Sequence, residues 1–203
     1  MKPIYVTTAL ALALATPAFA QSQGEWTVGL GVASVQPKSS PGTLAGDLKT
    51  DIGSSARPTI TVEYFVRDNL GVEVLAATPF SHEINIDGLG KVGSVKHLPP
   101  TISLNYHFDT NTAWKPFVGV GVNLTNFFSA NATGALAGSD LSLKHSWGLA
   151  ANLGTDYWLN DRSAIRANVR WIDIDSDVYL NGDKIGTVNI DPWVVGASYV
   201  MKF

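Results

Sequence analysis

The stretch Val72–Thr101, VEVLAATPFSHEINIDGLGKVGSVKHLPPT, holds two apolar segments on either side of a glycine turn. Counted outward from Leu89, Pro79 and Pro99 stand at equal distances, so a hairpin would bring them face to face, with Pro100 beside them. Proline has no amide hydrogen for a β-ladder and is confined to edges and bulges. We therefore expect the sheet to be locally open at these three prolines.

The first 20 residues have the composition of a secretory signal peptide. Lys2 supplies a positive charge, residues 9–15 form a short apolar run, and residues 18–20 (AFA) match an A-x-A cleavage site. The apolar run is too short for a transmembrane helix and ends at a Thr-Pro pair. We expect residues 1–20 to be a signal peptide and residues 21–203 to form one domain outside the cytoplasm.

The composition excludes several classes of protein. The formal charge is −3 without any run of Lys or Arg, which argues against a nucleic-acid partner, and the absence of cysteine excludes disulfides and thiolate metal sites. Hydrophobic residues make up 45% of the chain and charged residues only 15%, against about 25% charged in a typical soluble domain. No segment after residue 20 is long and apolar enough for a membrane helix. A closed barrel reconciles these facts, because each strand needs only alternate apolar residues.

Apolar and polar residues alternate in about eight segments. In the fourth, Ile102, Leu104 and Tyr106 alternate with Ser103 and Asn105. Charged residues do not face lipid, so the rows that contain them face inward, whereas a soluble lipocalin-like barrel would have its apolar row inside. The pattern predicts an all-β fold, an eight-stranded antiparallel transmembrane β-barrel with short periplasmic turns and longer extracellular loops. The predicted inward positions of interest are Glu63, Glu73, Leu75, Asn105, His107, Asn123, Asn152, Arg166, Asn168 and Arg170.

Turns and aromatic residues fix the ends of this barrel. Short turns are expected after residues 66, 108 and 159, and an extracellular funnel is expected from loops 37–56, 81–96, 129–143 and 176–188. Tyrosine and tryptophan gather at membrane interfaces. One aromatic girdle is predicted from Trp26, Tyr64, Tyr106, Trp114, Tyr157 and Tyr199, and the other from Phe80, Trp147, Trp171 and Trp193.

No motif indicates catalysis, a cofactor or a metal centre. G-x-S-x-G does not occur, and no spacing of Ser, His and Asp specifies a triad, so we do not expect an enzyme. Only His97 and His107 of the four histidines fall on predicted inward positions, and all four are interpreted as ordinary polar residues of the rim or lumen. Asp173, Asp175 and Asp177 are not an EF-hand, because a valine stands where that loop needs glycine. They are expected at the outer rim, either simply solvated or near divalent ions bound to lipopolysaccharide.

Five segments spread in order along the chain carry a family resemblance: VEVLAATPF (72–80), HLPPT (97–101), SDLSLKHSWG (139–148), WIDID (171–175) and DPW (191–193). They resemble the OmpW family of small outer-membrane proteins. The resemblance implies an eight-stranded barrel with a narrow apolar interior that lets small hydrophobic molecules across the outer membrane, and one branch is associated with alkane uptake. A lateral opening in the wall is one exit proposed for such compounds. Some members serve as bacteriocin receptors.

The resemblance also implies that Leu75 lies at an apolar constriction, where an aromatic residue of the seventh strand can be its partner. The corresponding inward position in this sequence is Arg170. We expect Arg170 to pair with Glu73 or Glu63 across the lumen, with Arg166 nearby, as a polar stop in the constriction.

These observations lead to a functional hypothesis with one alternative. We expect a passive outer-membrane channel for small hydrophobic molecules, surrounded by membrane lipid and lipopolysaccharide, which releases its solute sideways at Pro79, Pro99 and Pro100. The alternative is a structural or receptor barrel with a closed lumen, whose extracellular loops bind a partner such as a bacteriocin.

Overall fold

A computed structural model describes residues 21–46 and 48–203, so the predicted signal peptide lies outside the described residues. Within these two ranges, one 3₁₀ turn, Gly134–Leu136, accompanies the strands. In chain order the strands are β1 (Trp26–Gln36), β2 (Thr43–Leu44), β3 (Leu48–Ile52), β4 (Ser55–Arg67), β5 (Leu70–Ala77), β6 (Phe80–Ile86), β7 (Gly90–Leu98), β8 (Thr101–His107), β9 (Trp114–Ala132), β10 (Leu141–Leu143), β11 (Ser146–Asn160), β12 (Ser163–Ile172), β13 (Asp175–Leu180), β14 (Asp183–Asn189) and β15 (Trp193–Lys202).

Eight of these strands close into an antiparallel barrel. Their neighbour order is β1-β4-β5-β8-β9-β11-β12-β15, and β15 pairs with both β12 and β1, which completes the ring. The short turns lie where the sequence predicts them; the first contains Asn69 with φ of 62°, a conformation that asparagine tolerates well. The predicted eight-stranded antiparallel barrel is therefore confirmed.

The predicted alternation is visible in the barrel wall. In β8, Ile102, Leu104 and Tyr106 are exposed on the outside, while Ser103, Asn105 and His107 are buried inside. The outward-facing side chains of β11 are also exposed, Trp147 by 69% and Leu149 by 65%. The apolar surface of this barrel thus faces outward and its polar residues fill the interior, as a membrane barrel requires.

The four connections at one end are more ordered than the sequence suggests. The predicted loops 37–56, 81–96, 129–143 and 176–188 contain strands β2, β3, β6, β7, β10, β13 and β14, which continue the wall beyond the barrel. We call these strands, with the outer end of β9, the extension. The connections are long, as predicted, and they are ordered because their apolar residues, which include Ile84, Val95, Val178 and Val188, share a core with barrel residues such as Val35.

Phe80 shows this difference most directly. It was predicted to belong to an aromatic girdle, but its side chain is only 2% exposed and its ring stacks on His97 with centroids 5.5 Å apart. The girdle assignment of Phe80 was therefore wrong: β6 has left the barrel at this point and faces the core of the extension. Trp147 and Trp193 of the same girdle are exposed as expected.

Among the described residues, no helix is long and apolar enough to cross a bilayer.

Candidate functional site

Three carboxylates and two guanidinium groups fill the middle of the barrel; we call Glu63, Glu73, Asp156, Arg166 and Arg170 the lumen cluster. Arg166 donates to Asp156 at 2.7 and 2.9 Å, to Glu73 at 2.7 Å and to Glu63 at 3.1 Å. All five side chains are at most 3% exposed. The bidentate contact to Asp156 uses the geometry in which guanidinium and carboxylate bind most strongly.

Strand register explains why this cluster forms. Glu63 faces Glu73 across the β4–β5 ladder, a pairing of like charges that is unfavourable unless a cation compensates it. Asp156 faces Arg166 across the β11–β12 ladder on the other side of the barrel. Arg166 reaches across the lumen and binds all three carboxylates, so the two ladders compensate each other's charge.

Arg170 lies two inward positions beyond Arg166, after Asn168, and also binds the cluster. Its Nη2 donates to Glu73 Oε1 at 2.6 Å, so of the two expected partners the structure selects Glu73. A small cavity of about 30 Å³ above the cluster is lined by Leu75, Glu73, Arg166 and Arg170. The residues predicted to form the constriction are therefore brought together, and their common surface is charged on one side.

The predicted polar lumen residues surround the same cluster. Asn105 and His107 contact Glu63 Oε1 at 3.1 and 3.0 Å. Asn168 donates to Asn152, which lies next to Asn105 at 3.5 Å. Asn123 stands apart, because its amide donates to Thr101 and to the carbonyl of Pro100. The barrel interior is thus filled by a hydrogen-bonded network, which suits an eight-stranded barrel just wide enough for side chains.

An aromatic layer closes the lumen below the cluster. The guanidinium of Arg166 lies 4.6 Å from the ring centre of Phe117, and His107 stacks on the same ring at 4.9 Å. Phe117 and Phe65 are completely buried. Cluster and aromatic layer together leave the lower lumen packed with side chains.

The wall is open on one side above the cluster. The β5–β8 ladder ends at Leu75 and Thr101, and the β6–β7 ladder begins at Phe80 and His97. Among the described residues, no ladder pair or backbone hydrogen bond joins 76–79 to 98–100. We call this interruption the wall gap. It contains all three prolines that the sequence singles out.

The details of the wall gap correct the sequence interpretation. Phe80 faces His97, so one further step in that register places Pro79 opposite Leu98 and not opposite Pro99. The cause is the turn, which is centred on Gly88 and not on Leu89, because Ile86 faces Gly90; a bulge after Ile84 then restores one of the two residues of register. Pro79 is exposed, Pro100 half-buried and Pro99 buried, so the three prolines do not all face outward.

The carbonyl groups around the wall gap find partners elsewhere. Arg57 Nε donates to the Pro79 carbonyl at 3.0 Å, and the amide of Leu124 donates to the Pro100 carbonyl at 3.1 Å. The amide of Thr78 donates to the carbonyl of Pro58, a fourth wall proline that the sequence interpretation left out. The backbone carbonyls of these prolines therefore keep hydrogen-bond partners although the ladder is interrupted.

Comparison with known proteins places this barrel in a family. The sequence model of the OmpW family matches residues 22–203. The chain belongs to the OmpW family. Outer membrane protein W of Vibrio cholerae is 43% identical, over 96% of this chain and 95% of the relative. Outer membrane protein AlkL of Ectopseudomonas oleovorans is 32% identical, over 88% of this chain and 83% of the relative.

A solved structure agrees with this assignment. The crystal structure of outer membrane protein OprG from Pseudomonas aeruginosa aligns with a TM-score of 0.80 at 34% identity, covering 91% of this chain and 98% of that one. This OmpW-family protein is therefore an outer-membrane barrel, its exposed apolar wall lies in lipid, and the extension is its extracellular end.

The contact between two histidines in the extension of this OmpW-family protein was not predicted from the sequence. His82 and His97 are both buried, and their Nε2 atoms lie 2.9 Å apart. The predicted inward position of His97 is confirmed, whereas His82, which was not predicted to face inward, is buried beside it. Their proximity could have been found from the hairpin register, which places them as diagonal neighbours on one face.

The rim aspartates are arranged differently from their sequence order. Carboxylate oxygens of Asp173, Asp175 and Asp191 lie within 4.8 Å of one another, a grouping that could hold a cation. Asp191 also forms an ion pair with Lys38 at 2.8 Å. Asp177 is separate from this grouping and forms an ion pair with Lys184 at 2.7 Å. Lys38 and Lys184 thus already neutralise part of the negative charge at the rim.

Proposed function

We propose that this protein admits small hydrophobic molecules from outside and releases them sideways into the outer membrane. The observation that carries the proposal is the position of the wall gap: it begins one residue beyond Leu75, directly above the charged lumen cluster. A solute that descends into the barrel meets an ion-pair cluster below it and an interrupted wall beside it.

The apolar space above the cluster supports this route. The extension encloses a cavity lined almost entirely by aliphatic and aromatic side chains, which we call the upper cavity. Burying apolar surface gains roughly 25 cal/mol per Å². An apolar solute therefore prefers both the upper cavity and the bilayer core to water, and the wall gap lies on the path between them.

Continuing straight down would be costly for the same solute. It would have to separate Arg166 from three carboxylates or take the place of Phe117. Breaking one partner from a buried ion pair costs about 3–5 kcal/mol, far more than displacing a few apolar contacts. Leu75 and Arg170 then act as the floor at which the solute turns, and not as an apolar gate through which it passes.

Uptake of N-phenyl-1-naphthylamine, which fluoresces when it enters a bilayer, tests the proposal in cells with and without the protein. Replacing Pro79, Pro99 and Pro100 by alanine restores three amide donors and lets ladder bonds close the gap. We expect severalfold slower uptake with unchanged or higher barrel stability. Pro116→Ala, in the wall at the other end of β9, is the matched control and should leave uptake unchanged.

A chemical block gives a second test, since the natural chain has no cysteine. Thr78 is exposed at the wall gap, and a bulky maleimide on a Thr78→Cys variant should slow uptake, whereas the same reagent on Lys184→Cys at the outer hairpin should not.

The alternative function, a closed-lumen receptor whose loops bind a partner, is favoured by the packed lumen itself. Equal dye uptake with and without the protein would overturn the channel proposal and leave this alternative.

A further inference from the structure

The main polar feature of the upper cavity is the pair formed by His82 and His97. His82 lies on β6 and His97 on β7, and they are 3% and 5% exposed. The His97 ring stacks near Phe80 and lies 5.7 Å from the ring centre of Phe127. The pair is thus fixed in position by packing on both sides.

The hydrogen-bond pattern determines where the protons of the neutral pair lie. His82 Nδ1 contacts the carbonyl of Gly53, and a carbonyl oxygen only accepts, so this nitrogen carries the hydrogen. His82 Nε2 is then an acceptor, and His97 Nε2 must donate to it across 2.9 Å. His97 Nδ1 is left as a bare acceptor.

Burial keeps both rings in this neutral state. Loss of hydration, together with the neighbouring His82, lowers the pKa of His97 to about 3. Burial lowers the pKa of His82 as well, and Arg57 adds to that effect, while the bond to Gly53 acts against it. His97 therefore presents an acceptor, and not a cation, at any ordinary pH.

His97 Nδ1 has no hydrogen-bond partner within the described part of the chain. A buried acceptor without a donor is unfavourable, and a ligand that supplies the donor recovers that free energy. Water alone is poorly suited, because a held water needs two to four polar partners. The rest of the wall is almost wholly apolar: besides the two histidines, Thr50 is the one polar residue that lines it.

The upper cavity is small in the structure and opens to solvent at its mouth. Its free volume is about 30 Å³, so a ligand larger than water binds by displacing the side chains that line it. The lining includes Ile84, Val95 and Val188, which suit a hydrocarbon body.

We propose that the upper cavity selects apolar molecules that carry a hydroxyl group, whose O–H donates to His97 Nδ1 while the hydrocarbon part packs on the aliphatic wall. This inference rests on the proposed function and names the class of solute that the uptake route prefers. Pure hydrocarbons pack on the same wall but leave the acceptor unpaired.

The test compares 1-naphthol with 1-methoxynaphthalene, which has nearly the same apolar body but no donor. Binding of each is measured with the protein in lipid nanodiscs, and partition into empty nanodiscs is subtracted. We expect the protein to bind 1-naphthol about threefold to tenfold more tightly than the ether, the ratio that one net hydrogen bond supplies. His97→Phe, which keeps an aromatic ring but has no acceptor, should reduce the ratio to about one.

A control variant and a second measurement distinguish loss of the His97 acceptor from a disturbance of packing. His145→Phe alters an exposed histidine outside the upper cavity and should preserve the preference. In the unaltered protein, the ¹⁵N resonance of His97 Nδ1 should move on addition of 1-naphthol and not of the ether.

Equal binding of both probes, or a preference that survives His97→Phe, would overturn the inference and leave the uptake proposal intact. If neither probe bound at all, the result would count against both the inference and the uptake proposal.

Discussion

Arg166 and Asp156 face each other across the β11–β12 ladder, joined by hydrogen bonds of 2.7 and 2.9 Å, and both side chains are essentially shielded from solvent. The same guanidinium also holds Glu63 and Glu73 from the opposite wall. One residue therefore connects β12 with β4, β5 and β11. Its interactions close the lumen and tie non-adjacent strands together.

Replacing Arg166 by methionine should strongly destabilise the barrel. The change leaves three buried carboxylates with Arg170 as the one remaining guanidinium of the lumen cluster. Leaving a buried charge unpaired costs about 3–5 kcal/mol. Urea unfolding in lipid vesicles, followed by tryptophan fluorescence, measures the loss. Arg162→Met in the exposed β11–β12 turn is the control, and equal losses for both variants would contradict the role assigned to Arg166.

Glu73 and Arg170 should be energetically coupled. Glu73→Gln removes a charge that serves both Arg166 and Arg170, whereas Arg170→Met removes a donor that serves Glu73 alone. We expect the first change to cost more, and the double variant to cost less than the sum by about 0.5–3 kcal/mol. The same urea titration measures all three variants. Strict additivity would show that the 2.6 Å contact contributes no net coupling.

The barrel could be predicted from sequence because lipid imposes a rule on every strand. Residues such as Trp147 and Leu149 must face outward, and charged residues such as Arg166 must face inward, so period-two alternation assigns both faces at once. The extension obeys the same alternation with an apolar core inside. Nothing in the spacing around Phe80 indicates that the strand has left the bilayer, and the side it faces was therefore predicted wrongly.

Contacts between lumen residues could not be predicted without the geometry of the closed barrel. The sequence places Arg170 and Glu73 on inward positions, but contact between them depends on the stagger of strands that are not neighbours in the wall. Asp156 was not predicted to be a member of the site. Its signal was available, because the short turn at Asp161 and Arg162 sets the register that pairs Asp156 with Arg166.

Close packing at Gly154 should make it intolerant of substitution. A Cβ added there would lie 2.5 Å from Phe117 Cζ and 2.7 Å from the carbonyl oxygen of Ala167. Neither the backbone oxygen nor the buried ring below Arg166 can move freely, so we expect Gly154→Ala to cost about 1–3 kcal/mol. The electrophoretic shift between folded and heat-unfolded protein reports the loss. Gly53→Ala meets nothing within 4 Å and is the control, and matching stabilities would refute the packing argument.

Acid should loosen the extension before the barrel. The pKa of His97 is lowered from 6.5 to about 3, so the unfolded extension binds more protons than the folded one between these values. The stabilisation is complete above about pH 6.5 and decreases as the pH falls toward 3, by up to about 1.4 kcal/mol per pH unit for this group. His82, whose pKa is also lowered, adds to the slope.

Hydrogen exchange of the β6–β7 amides, corrected for intrinsic rates, measures this effect, with the barrel amides of β11 and β12 as the internal reference. His97→Phe removes the largest titration, so its extension should lose less protection between pH 6.5 and pH 4 than the natural sequence does. His145→Phe should retain the full slope, because that side chain is exposed outside the upper cavity. If both variants and the natural protein showed the same slope, protonation of the buried pair could not be the cause.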